Sequence, residues 1–508
     1  MKNEYSKMLA ILVGLLVFSC NEKSSENNDS DLLNDSDFQD TESIDADEDS
    51  SVFSCIDEWK EAPFIENSLE YYDFSIVKTE SSWKWEKDGE IETIKIAGPR
   101  RDRLWDILVG SDGSIYMTGA FTDDAKEDLY RGFLSVYKPD GKLVRYSWDK
   151  DKFGEVFKII EDQNTGDVKI SMAIEDPEGY DPTNPDWKRR KTILSTLHKD
   201  GTWTHISWKV PGYLFCRDMM QFDDEIFAAC EHLIDSDDVG NSILFFKINE
   251  KSAKYIEFPF SDYRVRPLTL RFDNDTFSLL YGIYGVFSED DYPNGNLLNI
   301  SKEDLCVQES YVFPSASGIG LIKKHDFIDE NLYGIGYKQE EIKDENKQTL
   351  VGIATIYKDY LSGKKEIINV GIKKFVNDAA QYADFQDFIK SEYENIIYFA
   401  GKTYGNLTGG ETEINSGESD VWRREPFVFI VDGDGKYYLK QFSTAILGDS
   451  ATIIKEDKDY LYLGGSYVSS KEVDFVINSF VHKIPKSLLI KKENSFDNSE
   501  FLWIEEIK

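Results

Sequence analysis

Apolar and polar residues alternate along most of this chain in short runs rich in Ile, Val, Phe and Tyr, and stripes at helical spacing are scarce. Alternation with period two is the mark of half-buried β-strands. One segment recurs: Ile115-Tyr116-Met117-Thr118-Gly119, Ile397-Tyr398-Phe399-Ala400-Gly401 and Leu461-Tyr462-Leu463-Gly464-Gly465. Fainter copies lie at Lys169-Ile170-Ser171, Ile226-Phe227-Ala228, Thr276-Phe277-Ser278 and Leu332-Tyr333-Gly334. Successive centres, from Tyr116 to Tyr462, are 54, 57, 50, 56, 65 and 64 residues apart. A repeat of this length built only from strands predicts an all-β array of the β-propeller kind.

Each repeat reads as four strands, a to d. In the first, Leu104 to Val109 is a, Ser114 to Ala120 is b, Phe133 to Tyr137 is c and Leu143 to Trp148 is d. Asp112-Gly113 and Pro139-Asp140-Gly141 supply the turns, because glycine tolerates the positive φ that tight hairpins require. The same c-turn-d grammar returns around Asp200-Gly201 and Asp434-Gly435. Gly119, Gly401 and Gly465 end strand b, where backbones are expected to approach closely. Residues 74–508 hold about 7.5 units of roughly 58 residues, so seven blades are expected, with eight the alternative. The surplus is N-terminal: Phe74 to Lys78 and Ile91 to Ile96 look like an outer strand pair, and an N-terminal strand completing the last blade would close the ring.

Charge narrows the function. The 508 residues carry a formal net charge of −37, which would repel phosphate backbones and anionic lipid, so nucleic acid is not an expected partner. The acids are unevenly spread. Residues 21–52 hold twelve acids and one lysine, with Ser and Asn between them; such a segment buries too little apolar surface to offset its ordering entropy and is expected to be an extended, disordered tether.

Ahead of it, Lys2 and Lys7 precede an apolar run from Leu9 to Phe18 that is too short to span a bilayer. The run ends in Val17-Phe18-Ser19-Cys20, which resembles the lipobox of bacterial lipoproteins. That resemblance implies a signal peptide over 1–19, acylation of Cys20, and a location in the cell envelope, at the outer membrane or cell surface. The expected order is signal peptide 1–19, lipidated cysteine and tether 20–52, a lead-in segment 53–73 and the propeller 74–508. Of the other cysteines, Cys55, Cys216, Cys230 and Cys306, the expected disulfide is Cys216–Cys230, since both fall on successive strands of one repeat.

Catalytic motifs do not stand out. The five histidines, His198, His205, His232, His325 and His482, belong to no nucleophile or zinc pattern and read as strand or surface residues. Asp432, Asp434 and Lys436 resemble the opening of a calcium loop, but a lysine replaces the third ligand and a hairpin turn is the plainer reading. No cofactor is expected; Ca²⁺ is the one candidate, because nearly every b–c loop is acidic, from Asp123-Asp124 to Glu472 and Asp474. Three of those loops end with an aromatic residue beside arginine: Tyr130-Arg131, Trp187-Lys188-Arg189-Arg190 and Trp422-Arg423-Arg424. Aromatic faces suit sugar rings and guanidinium forks suit carboxylates, so these residues are the candidate ligand-binding set.

Residues 395–442 carry a family resemblance. Tyr398-Phe399-Ala400-Gly401-Lys402-Thr403, Asp420, Pro426-Phe427-Val428, Asp434-Gly435 and Gln441-Phe442 look like the bacterial beta-propeller repeat family found in exported proteins. It implies a fold and an exported address but no defined activity. The function expected from the sequence is therefore a membrane-anchored, non-catalytic platform for a protein or glycan. A propeller glycoside hydrolase or lyase using loop carboxylates, and a structural part of an envelope assembly, are the alternatives.

Overall fold

A computed structural model describes residues 59–82, 84–96, 102–122, 130–148, 153–180, 188–210, 212–233, 241–249, 251–260, 264–273, 275–284, 295–303, 306–312, 319–344, 347–359, 363–371, 382–404, 407, 425–442, 450–468, 477–491, 494–496 and 502–507. The signal peptide, Cys20 and the acidic tether lie outside the described residues.

The described residues form strands almost throughout. The N-terminal part gives β1 (Lys60–Ala62), β2 (Phe64–Glu66), the short helix α1 (Ser68–Tyr71), β3 (Ile76–Ser82), β4 (Glu86–Asp88) and β5 (Ile91–Ile96). Blade 1 follows with β6 (Asp102–Val109), β7 (Ile115–Thr122), β8 (Tyr130–Tyr137) and β9 (Lys142–Trp148). Blade 2 is β10 (Gly154–Glu161), β11 (Val168–Tyr180), β12 (Lys188–Leu197) and β13 (Trp203–Trp208). Blade 3 is β14 (Tyr213–Phe222), β15 (Glu225–Leu233), β16 (Asn241–Ile248) and β17 (Ala253–Phe260). Blade 4 is β18 (Arg264–Asp273), β19 (Thr276–Tyr284), β20 (Gly295–Ser301) and β21 (Val307–Val312). Blade 5 is β22 (Ile319–Ile328), β23 (Asn331–Asp344), β24 (Lys347–Asp359) and β25 (Lys365–Val370). Blade 6 is β26 (Tyr382–Lys390), β27 (Ile396–Tyr404), β28 (Glu425–Asp432) and β29 (Tyr437–Gln441). Blade 7 takes β30 (Ser450–Glu456), β31 (Tyr460–Val468) and β32 (Ile477–Pro485), and a last strand, β33 (Leu502–Ile507), ends the chain.

These strands make seven antiparallel sheets, blades 5 and 6 touching through one parallel pair, Gly352 with Tyr382. The innermost strands β6, β10, β14, β18, β22, β26 and β30 each contact the next, and β30 returns to β6, which closes a seven-bladed propeller. Every repeat centre, from Tyr116 to Tyr462, falls in the second strand of its blade. The turn glycines take the positive φ expected of them: 79° at Gly113, 84° at Gly141, 87° at Gly201 and 75° at Gly435. The expected close approach is there too: a Cβ on Gly119 would stand 1.8 Å from the carbonyl oxygen of Arg103, and one on Gly401 would stand 2.5 Å from that of Asp384.

The ring closes as anticipated, with β5 pairing against β32 as the outer strand of blade 7. The rest of the N-terminal part does something the pattern did not suggest. Phe74 to Lys78 is no partner of β5; β3 instead lies along β9 of blade 1. Before it, β2 lies along β13 of blade 2 and β1 along β17 of blade 3. The segment 53–73, expected as a lead-in, thus supplies fifth strands. At the other end, Ser495 bridges Tyr438 of blade 6 and β33 pairs with β25 of blade 5. The two ends of the chain form a strap around the outer blade edges, where unpaired strand groups would otherwise invite association. Its apolar residues fill gaps between blades: Ile65, Leu69, Tyr72 and Phe74 join the core shared by blades 1 and 2, and Phe496 and Leu502 join that of blades 5 and 6.

One further departure concerns blade 5. In place of an acidic b–c loop there, Glu340 and Glu341 belong to a hairpin in which β23 and β24 stay paired out to Asp344 and Lys347.

Candidate functional site

Seven inner strands converge on one axis, and each carries a β-bulge where its pairing skips a residue. A bulge adds twist and turns a side chain out of the ladder. The skipped residues include Trp105, Phe157, Arg217, Lys323 and Gln386. In blade 1 the bulge lies beside the pairs Leu104–Gly119 and Gly119–Phe133, toward the end of the blade where the b–c connection leaves. The bulged residues therefore stand one position nearer the b–c face than the charged residues that follow, and mark that end of the axis, the mouth.

One residue deeper, the charges alternate around the axis. Lys455 of blade 7 stands 3.7 Å from Asp106 of blade 1. Lys158 of blade 2 bridges Asp106 and Asp218 of blade 3, at 3.2 Å from each. Arg271 of blade 4 joins Asp218 at 3.4 Å to Asp326 of blade 5 at 3.2 Å. Lys324 of blade 5 pairs with Asp387 of blade 6 and donates to the carbonyl of Phe388 at 2.9 Å. Four carboxylates thus face four cations.

Three of the carboxylates also fasten blades through the backbone. Asp106, Asp218 and Asp387 each accept from their own following amide and, with the second oxygen, from an amide of the next blade: Ile159 at 3.3 Å, Leu270 at 2.8 Å and Ile454 at 2.9 Å. Burial alone would raise the Asp106 carboxyl, but Lys158 and Lys455 outweigh it and hold it below its usual value. Burial would lower Lys158, and Asp106 with Asp218 raise it instead. Lys324 goes the other way: burial, with the cations Arg271 and Lys455 nearby, brings it down to about 8 despite Asp387.

Above this ring, blades 1 to 3 present an aromatic and guanidinium cluster. Trp105 is 36% exposed, and its ring lies 5.7 Å from that of Phe157, which lies 6.4 Å from Phe215. The Arg217 guanidinium stands over both phenylalanines, at 5.5 and 5.8 Å. Arg190 lies over Phe153 at 3.7 Å and Phe215 at 5.4 Å. Beneath them the buried Glu231 carboxylate accepts from Arg217 at 3.1 Å and Arg266 at 3.3 Å. Burial and the neighbouring Arg266 lower the Arg217 guanidinium's pKa, against the pull of Glu231.

Of the residues singled out in the sequence, Arg190 belongs to this cluster. Tyr130 is buried under the Arg103 guanidinium at 4.6 Å, and Arg131 reaches the Trp148 carbonyl at 3.4 Å and the face of Phe121 at 5.0 Å. Trp187, Trp422, Arg423 and Arg424 lie outside the described residues, as does the side chain of Arg189. Trp105, Phe157, Phe215, Arg217 and Glu231 were not singled out. The signal beside them was a charged residue recurring in the middle of the first strand, at Asp106, Lys158, Asp218, Lys324 and Asp387.

Cys216 and Cys230 face each other across β14 and β15 and are disulfide-bonded. All five histidines have a hydrogen-bonding partner at Nδ1: Asp167 for His198, Ser195 for His205, Ser242 for His232, Thr269 for His325 and Thr93 for His482. The Asp432 turn is closed by its own backbone, with Oδ1 accepting from Asp434 and Lys436 amides at 3.0 and 2.8 Å. Among the described residues no three His, Cys, Asp or Glu side chains gather as a metal site.

No protein-family model matches the chain, and no curated protein does. Solved structures with a similar arrangement include a neuraminidase-like protein from A/bat/Guatemala/164/2009, at 7% identity and a TM-score of 0.34, covering 64% of this chain and 86% of that one. The Bombyx mori GH32 beta-fructofuranosidase is similar at 8% identity and a TM-score of 0.31, covering 81% of this chain and 91% of that one. Neither likeness bears on what this chain does.

Proposed function

We propose that this protein is a lipid-anchored binding platform of a bacterial cell envelope, which takes a glycan or protein ligand at the channel mouth without transforming it. The observation that carries the reading is Trp105: a large aromatic side chain exposed at the mouth, backed by Phe157 and flanked by the ring-stacked Arg217. Aromatic rings and guanidinium planes held by packing lose little freedom on binding and suit the faces of sugar rings or a partner's aromatic residues. The ring of matched charges below makes a rigid floor. Anchoring rests on the sequence alone: the apolar run, Cys20 and the acidic spacer.

The test is binding of the Ser51–Lys508 chain to a glycan array and to solubilised envelope proteins. Trp105→Ala is compared with the pair Trp187→Ala plus Trp422→Ala. Binding weakened at least tenfold by Trp105→Ala supports the mouth. Loss only in the tryptophan pair moves the site to the b–c loops, and binding indifferent to all three, or turnover of the bound ligand, refutes the reading.

A further inference from the structure

The mouth gathers arginine on a chain that is strongly acidic. Arg103, Arg131, Arg190 and Arg266 are each the second or third residue of a first or third strand, β6, β8, β12 and β18, which places them at the b–c end of their blades. Arg217 is the bulged residue of β14. Turns at the opposite end carry lysines, Lys138 and Lys142 in blade 1 and Lys436 in blade 6. Lysine suits a solvated turn, whereas arginine suits a place where a flat cation rests on a ring and still presents a fork of donors. Arg103, Arg131, Arg190 and Arg217 all stand over aromatic rings.

Two of these guanidiniums converge. Arg190 and Arg217 flank the Phe215 ring at 5.4 and 5.8 Å, and Arg217 also stands over Phe157, the neighbour of Trp105. Negative charge is short here. The single Glu231 carboxylate serves both Arg217 and Arg266, and its pull on Arg217 is outweighed by burial and by Arg266. Glu175 lies opposite Arg190 across the hairpin but accepts from the Phe153 amide at 3.5 Å, and among the described residues no ion pair joins Arg190 to a carboxylate. We propose that the ligand at the mouth is an acidic sugar, its ring on Trp105 and its carboxylate between Arg190 and Arg217. The assignment rests on the mouth being the binding site. A carboxylate meets the two guanidinium forks and supplies the missing charge. A sugar carries that carboxylate beside a flat C–H face, which matches an aromatic ring set next to a guanidinium. An acidic peptide offers the charge without the face.

The test is calorimetric titration of the full-length chain, in detergent, with oligomers of galacturonate, glucuronate and mannuronate and with their methyl esters, which keep the rings and lose the charge. At least one acid should bind about tenfold or more tighter than its ester, and added salt should weaken it. Trp105→Ala should weaken acid and ester alike. Arg190→Gln should weaken the acid about tenfold or more and leave the ester unchanged, which also shows that the variant is folded; Arg190→Lys should not restore the acid. An ester that binds as well as its acid, with both weakened by Trp105→Ala, overturns the acidic class and leaves the mouth standing. An acid that binds regardless of Trp105→Ala refutes the mouth and this proposal with it. Equal loss of acid and ester in Arg190→Gln gives Arg190 a structural role and overturns the proposal. So does binding to none of the acids, or tighter binding of poly-glutamate than of every uronate.

Discussion

Removing the Asp218 carboxylate should unfasten three blades at once. Its side chain accepts from the Met219 amide at 3.0 Å and the Leu270 amide at 2.8 Å, and it pairs with Lys158 and Arg271 while only 4% exposed. In Asp218→Ala, two buried amides lose their acceptor, at about 1–3 kcal/mol each. Lys158 keeps only Asp106, and breaking a buried pair costs about 3–5 kcal/mol. These effects share groups and do not sum, so about 4–6 kcal/mol is expected. With an unfolding entropy of about 2.1 cal/mol/K per residue, a chain of 508 residues loses about 1 °C of midpoint per kcal/mol. Calorimetry should therefore show a drop of about 4–6 °C. Asp106→Ala combined with Asp218→Ala strips Lys158 of both carboxylates, so the double variant should lose about 0.5–3 kcal/mol more than the two singles together. A loss below about 1 kcal/mol for Asp218→Ala, or strict additivity, would refute the picture of a coupled ring.

Three further outcomes are expected. Gly119→Ala should destabilise by about 1–3 kcal/mol, because its Cβ meets the Arg103 carbonyl; denaturant midpoints check this, and an unchanged midpoint would contradict it. Burial lowers His205 to about 4, and burial with Arg271 and Lys324 lowers His325 well below its usual value. Both stay neutral in the fold while an unfolded histidine charges near about 6.5. The unfolded chain then binds more protons, so stability should be full above about pH 6.5 and fall as pH drops through 6 and 5. A urea midpoint flat from pH 7 to 5 would contradict this, and His205→Gln should shed part of the slope. Cys20→Ala should abolish incorporation of a labelled fatty acid and release the protein from the membrane fraction; labelling that survives would remove the anchor from the account.

Much of the fold could be read from local chemistry. Alternation placed all seven second strands because a half-buried strand repeats every two residues, and the hairpin glycines at 141, 201 and 435 marked turns that need positive φ. The edge strands resisted. β1 and β2 are three residues each, too short to show a period, and their partners lie almost 200 and about 140 residues away. The channel mouth was only half legible. Arg190 was flagged through its neighbour Trp187, yet the rings it covers, Phe153 and Phe215, come from elsewhere in the chain.

By itself the sequence determined the all-β class, the recurring four-stranded unit and the closing N-terminal strand, since each depends on residues near one another in the chain. The tertiary structure alone decided which side chains meet. Asp106, Lys158, Asp218, Arg271, Asp326, Lys324, Asp387 and Lys455 are separate charges in the sequence. They become a network only because seven strands converge on one axis and bring opposite charges to within a few ångströms. The same convergence leaves Trp105 at the mouth, and no local pattern encodes that distance.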